Sequence, residues 1–267
     1  MRKDYIAATE PADHETEFIE KYWTTMWQQS GGPQGLIDRI PRKDEYRAME
    51  PYMAKLSKGA RVLDGGCGLG DWVLALQREG FSVVGLDLSR KTVDQLKARF
   101  PESEFMAGDI RQTGFSDNSF DAYFSWGVFE HFESGPQDCL REAWRILKPG
   151  GLLFISVPLD NLRHALLGAF ARPQIISSDA RFYQYRFTRA ELARELAIGG
   201  FDVCEVRCIH KRQGVLRGLH HELGFPYDWL LTKGLSAVIA PFVPGSFIAH
   251  MVLAVARKPE SGVTHGG

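Results

Sequence analysis

The sequence predicts an α/β fold, a doubly wound sheet of mostly parallel strands, and three observations carry that prediction. Short apolar runs alternate with amphipathic helical stretches, the pattern of repeated strand–helix units. One such junction, Ala60-Arg-Val-Leu-Asp-Gly-Gly-Cys-Gly-Leu-Gly70, carries glycine at every second position from Gly66 to Gly70. An acid, Asp87, closes the strand that follows. A strand running through a glycine turn into a helix brings bare backbone and the positive end of a helix to one point. An acid at the end of the neighbouring strand is where doubly wound folds meet the ribose of an adenosine ligand.

Residues 14 to 28 read as an amphipathic helix with Phe18, Ile19, Tyr22, Trp23, Met26 and Trp27 on one face. Glu15 and Glu17 suit its first turn, and Gly31-Gly32-Pro33 breaks it. Residues 44 to 57 read as a second helix, leading into a first strand whose Val62-Leu63 run ends at Asp64. Beyond the glycine turn, Trp72, Val73, Ala75 and Leu76 recur at helical spacing until Gly80. The second strand is Ser82 to Asp87, and Ser89 caps a helix over 90 to 99. The third, Glu104 to Ala107, runs into Gly108-Asp109-Ile110.

A polar turn, Ser116 to Asp121, opens the fourth strand, Ala122 to Trp126, and Gly127-Val-Phe-Glu-His-Phe132 follows. The next helix carries Leu140, Ala143, Trp144 and Leu147 on one face and stops at Lys148-Pro-Gly-Gly151. The fifth strand, Leu152 to Val157, is a continuous apolar run, as a strand buried on both faces requires. Thr188 and Glu191 form a capping box for a helix ending at Gly199-Gly200. Residues 202 to 209 and 249 to 256 supply the last two strands.

The glycine spacing narrows the ligand. A dinucleotide turn counted from Gly66 would need glycine where Asp71 stands, and the Gly-Lys-Ser/Thr of a phosphate loop is absent. Asp64-x-Gly66-x-Gly68-x-Gly70 resembles motif I of the class I S-adenosylmethionine (SAM)-dependent methyltransferases instead. VGLDLS, GDI, FSDNSFD, SWGVFEH and LREAWRILKPGG follow in that order. Together they resemble the small-molecule methyltransferase family that includes the ubiquinone-biosynthesis O-methyltransferases, over residues 45 to 158 and again over 187 to 201.

The resemblance implies a seven-stranded, Rossmann-like sheet whose last strand is antiparallel and inserted between strands five and six. It implies SAM as cofactor, lying against Asp64, Gly66, Cys67, Gly68 and Gly70, with Asp87 and Leu88 at the ribose. Asp109 and Ile110 would meet the adenine, and Trp126 would line the same site. An arginine ahead of the first core helix holds the methionine carboxylate in related enzymes, and Arg42 has that place here. Tyr22 and Trp27 could cover the sulfonium by cation–π contact. A base is required only if the acceptor atom loses a proton; His131 is the candidate, and it reads equally as a packing histidine. The ubiquinone enzymes carry a Glu-x-x-Glu-His stretch associated with metal. Gly127 replaces the first of those acids here, leaving Glu130 and His131, so no metal is expected. Two other readings stay open: a SAM-binding scaffold or regulatory protein without transfer, and an NAD oxidoreductase, which Asp71 disfavours.

The domain then covers 45 to 258, with an N-terminal helical lid over 1 to 44, helical insertions at 158 to 186 and 210 to 246, and a tail over 259 to 267. Both insertions follow the carboxyl end of a strand and rise on the ligand side of the sheet. Five arginines face two aspartates in 159 to 190, and four cations face Glu205 in 205 to 220. That local charge suits a small-molecule acceptor bearing phosphate or carboxylate, with Arg181, Tyr183 and Arg186 as the candidate contacts; a solvated basic face is the competing reading.

A length of 267 residues allows one large domain, and a net charge of −1 gives no electrostatic footprint for nucleic acid. The first residues lack the apolar core of a secretory signal. Cys67, Cys139, Cys204 and Cys208 form no paired framework, which points to a reducing cytoplasm, and Cys204 and Cys208 read as small thiols rather than metal ligands. Residues 234 to 256 contain no charged side chain, but Pro241, Pro244 and Gly245 divide them into a helix, a turn and a strand rather than a membrane span. Peripheral contact with a membrane surface is compatible with that rim. The sequence leaves the oligomeric state open.

Overall fold

The computed structural model describes residues 1–7, 14–164, 166 and 180–260. Its main sheet contains β2 (Arg61–Gly65), β3 (Ser82–Asp87), β4 (Glu104–Ala107), β5 (Phe120–Trp126), β6 (Leu147–Pro158), β8 (Asp202–Ile209) and β9 (Met251–Arg257). They lie in the order β4-β3-β2-β5-β6-β9-β8. All are parallel except β9, which runs antiparallel to both neighbours, β6 and β8. This is the seven-stranded, doubly wound sheet the sequence predicts, with the last strand inserted where the resemblance put it.

Successive side chains on a strand face opposite ways, so each strand feeds two cores. Leu63, Tyr123, Leu153 and Ala254 enter one; Val62, Phe124, Phe154 and Val255, their chain neighbours, enter the other. The first core is closed by α5 (Gln137–Ile146), through Leu140, Ala143 and Ile146, and by α6 (Arg189–Ile198), through Leu192 and Leu196. The second is closed by α2 (Asp44–Met53), α3 (Asp71–Arg78) and α4 (Arg90–Arg99), through Met49, Val73, Leu76, Val93 and Leu96. The winding reverses between β2 and β5, and the crevice at their carboxyl ends is where such sheets bind ligands.

Two features depart from the sequence reading. A second sheet pairs β1 (Arg2–Ala7) with β7 (Ala180–Arg186), antiparallel, so the N-terminal segment is not wholly helical. The helix expected over 44 to 57 ends at Met53, two residues after Pro51. The N-terminal helix, α1, spans Glu15–Gln29 and lies across the carboxyl edge of the main sheet, bonded to it through Thr24 and Ser89 (Oγ1 to Oγ, 2.6 Å). Beyond β8 the chain forms α7 (Lys211–Leu223), α8 (Leu230–Ile239) and a short helical turn, Gly245–Ile248, before β9. Among the described residues no helix is long and apolar enough to cross a membrane.

Candidate functional site

A cavity of about 270 Å³ opens at the carboxyl ends of β2, β3, β4 and β5. The glycine turn forms its floor. Gly66 and Gly68 have φ of 83° and 50°, and a Cβ on Gly68 would lie 2.8 Å from the Trp27 ring. The amides of Gly66 and Cys67 both bond the Leu86 carbonyl, which locks the turn onto β3.

Asp87 ends β3 and is buried; its Oδ2 accepts from the Gly68 amide at 2.8 Å and its Oδ1 from the Ser89 amide at 2.9 Å. Burial raises its pKa, against those two amide donors. Each carboxylate oxygen keeps a second acceptor direction, so the group both braces the turn and can take hydroxyl donors from the cavity. Asp64 at the end of β2 is 1% exposed, and its Oδ2 has no partner. Burial, and then Asp87, pushes its pKa well up. Asp109 also lines the cavity, but Arg111 grips it, Nη2 to Oδ2 at 2.7 Å. Arg111 continues to Glu15 and Thr16, so the same arginine anchors the start of α1.

Above the turn, α1 presents Ile19, Glu20, Trp23 and Trp27, the two indoles stacked at 5.1 Å. Among the described residues, the indole Nε1 atoms of Trp27 and Trp126, like Asp64 Oδ2, are buried without a protein partner. A pocket holding two bare N–H donors and a bare carboxylate oxygen suits a polar ligand that supplies acceptors and a donor. Lys43 lines the wall with its Nζ 5.7 Å from the centre of the Trp72 ring.

At the far end sits His131, in a 3-10 turn over Phe129–His131. Its Nδ1 meets the Tyr183 carbonyl at 2.8 Å. A carbonyl only accepts, so Nδ1 carries the proton and Nε2 is the bare nitrogen of the neutral ring. Burial pushes the ring's pKa down to about 4, against the Tyr183 and Gly127 carbonyls. Glu130 is buried beside it, Oε1 at 4.0 Å from Nε2 and Oε2 without a partner, and burial pushes its carboxyl up to about 8. Both groups are therefore neutral at pH 7.

Of the residues singled out from sequence, Asp64, Gly66, Cys67, Gly68, Asp87, Leu88, Asp109, Ile110, Trp126, Trp27 and His131 line this one cavity. Gly70 packs behind the floor, where a Cβ would meet Leu96 and Phe105. Five others lie elsewhere. Arg42 does not line the cavity, whereas its neighbour Lys43, also exposed, does. Tyr22 stacks edge-on with Tyr183 rather than facing the cavity, and Tyr183 closes the wall behind His131. Arg181 stands over the Phe18 ring, and Arg186 is ion-paired with Asp4 at 2.6 Å. Lys43, Trp23, Trp72 and Glu130 were missed. Trp23 could have been found, being one turn from Trp27 on the same apolar face.

Residues 63–155 match a family model described as a methyltransferase domain. A demethylmenaquinone methyltransferase of Renibacterium salmoninarum is 37% identical over 113 residues, 42% of this chain and 45% of that protein. A ubiquinone biosynthesis O-methyltransferase of Rhizobium rhizogenes is 27% identical over 161 residues, 58% of this chain and 64% of that protein. The chain thus spans about half to two thirds of the length of these relatives. The crystal structure of the 1,6-didemethyltoxoflavin-N1-methyltransferase of Burkholderia thailandensis shares the fold, with a TM-score of 0.58 and 17% identity over 97% of this chain and 96% of that one.

Proposed function

We propose that this chain, a member of the class I SAM-dependent methyltransferases by the domain it carries, transfers a methyl group from SAM to a small-molecule acceptor. The observation that carries the proposal is the cavity at the sheet's switch point, where, among the described residues, Asp64 Oδ2 and the Nε1 atoms of Trp27 and Trp126 lie buried without a partner around a glycine floor. A cofactor with a diol, an ammonium and a carboxylate suits the acids and the cation of this lining. Asp87 takes the ribose hydroxyls, Asp64 the ammonium, and Lys43, in the place expected for Arg42, the carboxylate. Leu88, Asp109 and Ile110 line the adenine end, and the indoles of Trp23 and Trp27 cover the cationic sulfur.

When bound, SAM supplies an electrophilic methyl on a sulfonium. The protein's part is then to hold the acceptor atom in line and to exclude water. His131, with Nδ1 fixed on the Tyr183 carbonyl, offers Nε2 to an acceptor hydroxyl and takes its proton as the bond to carbon forms. An oxygen nucleophile is favoured by the likeness to the ubiquinone-biosynthesis enzyme, an O-methyltransferase by name.

The acceptor is proposed to be an anionic or amphiphilic metabolite. Support comes from the basic residues of the rim and from an apolar face beside them, where Leu230 and Phe242 are each 84% exposed next to Trp229, Leu231 and Val238. That face suits an acceptor with an apolar part, or peripheral contact with a membrane surface that holds one. Four free cysteines fit the reducing cytoplasm proposed as its setting. Titration calorimetry tests the core of the reading. SAM and its demethylated product should bind and NAD should not; tight NAD binding without SAM binding would overturn it.

A further inference from the structure

A second cavity, of about 280 Å³, lies farther along the same sheet edge, where β6 ends and β9 begins. Asn161, Arg163 and His164 reach it from beyond β6, Arg186 from the end of β7, Arg217 from α7, and His250 from the start of β9. Gly214 also lines it. A Cβ there would strike the Ile248 carbonyl, so α7 packs bare backbone against the chain leading into β9. One more turn along, a Cβ on Gly218 would come within 3.1 Å of the Arg163 guanidinium.

The polar groups of this cavity are donors in excess. Arg163 Nη2 lies 3.1 Å from His164 Nε2. A guanidinium only donates, so Nε2 accepts and the proton of His164 sits on Nδ1. Among the described residues, that Nδ1 and the Arg163 Nε are both buried without a hydrogen-bond partner; the Asp160 carboxylate stands 3.9 Å from the Nδ1, too far to bond it, and is paired with Arg2 at 3.0 Å. Arg217 has no carboxylate within ion-pair distance among the described residues, and its Nη1 reaches only His250 Nε2, at 3.5 Å. Glu222 pairs with Arg163 and Asp4 with Arg186, which leaves Arg217 as the uncompensated charge. Burial first, and then the surrounding arginines, push the His164 ring down to about 4 and the His250 ring to about 3. Burial, and after it the nearby arginines, keep both histidines neutral.

β7 carries both Arg186, which lines this cavity, and Tyr183, whose carbonyl fixes His131. One strand thus joins the second cavity to the proposed methyl-transfer end. We propose that it binds an oxyanion, the phosphate or carboxylate group of the methyl acceptor, through Arg163, Arg217 and the His164 Nδ1–H. The acceptor half of this statement rests on the methyltransferase reading; the oxyanion half does not.

The test uses the full chain and inorganic phosphate as probe, with binding followed by titration calorimetry. The wild type should bind phosphate, and Arg217→Gln should weaken binding by about tenfold or more, the loss of one charge-assisted hydrogen bond. Arg217→Lys, which keeps the charge, should fall between the two. Affinity for the demethylated cofactor should be the same in all three proteins, which also shows that the variants fold. No phosphate binding by the wild type at tens of millimolar, or equal binding by Arg217→Gln, overturns the site. A second arm offers methyl-labelled SAM and a small-metabolite extract. Label in molecules retained by an anion exchanger, reduced in Arg217→Gln, supports the acceptor assignment. Label confined to unretained molecules overturns that assignment and makes the ligand a free anion. If phosphate binds and no label transfers to any molecule, the methyl-transfer reading fails and the oxyanion site stands.

Discussion

Replacing Glu130 by glutamine should remove a defined part of the protein's pH-dependent stability. The carboxyl is fully buried, one of its oxygens has no partner, and its pKa rises from 4.5 to about 8. Between those values the folded protein holds a proton on Glu130 that the unfolded chain has lost. Stability from this group is complete below 4.5 and declines as pH rises through about 8. The slope is about 1.4 kcal/mol per pH unit, and over the window it sums to about 4–5 kcal/mol, an upper figure because local entry of water relieves a buried charge.

His131 acts in the opposite sense. Its folded pKa of about 4 lies below 6.5, so its contribution is lost as pH falls through that interval. The two slopes oppose each other between 4.5 and 6.5, and Glu130 acts alone from 6.5 to about 8. Glutamine preserves the shape and removes the titration. Its new amide donors cost stability by an amount independent of pH, so the difference between variant and wild type reports the carboxyl alone. Urea unfolding at closely spaced pH values should show the variant gaining on the wild type as pH rises from 6.5 to 8. A difference that stays flat over that interval would mean that Glu130 is ionised and solvated, and the account of a neutral Glu130–His131 pair would fall with it.

The remaining predictions concern the cofactor cavity. Asp87→Asn keeps one acceptor oxygen for two amides, so it should lower stability by about 1–3 kcal/mol and weaken binding of the demethylated cofactor by about tenfold or more; a folded variant with unchanged affinity would remove Asp87 from the site. Lys43→Met should weaken SAM binding while Arg42→Met leaves it alone, and calorimetry on the two variants decides between neighbours that the sequence cannot separate. The reverse result would restore Arg42.

The parts of the fold visible in sequence are those written in local pattern. The glycine turn, the strand-end acids Asp64 and Asp87 and the Thr188–Glu191 capping box each declare themselves within a few residues, and the structure places them accordingly. Pairings across long sequence separations leave no such mark. β1 reads as a charged stretch because Arg2, Lys3 and Asp4 dominate it, and its partner lies far along the chain. The choice between Arg42 and Lys43 depends on rotation at the end of a 3-10 helix, Ile37–Arg42, which composition does not record. The basic character of the two insertions was legible as a sum of charges. Which arginines converge was not, because Arg181 on β7 stands over Phe18, whereas Arg186, though paired with Asp4, lines the second cavity with Arg217 from a different insertion altogether.

The way α1 is attached has a kinetic consequence. None of its residues is fully buried; Ile19, Tyr22, Trp23 and Trp27 are half-buried against the body, and polar ties hold it at its start, through Glu15, Thr16 and Arg111, and at its middle, through Thr24 and Ser89. With no fully buried side chain to extract, its amides should exchange with solvent through an opening less costly than global unfolding. On the proposed function, the cofactor would lie beneath Trp23 and Trp27, and raising that helix would open a way out for it. Departure of spent cofactor would then share its pace with that motion, the rigid sheet serving as the bed on which one helix opens and shuts.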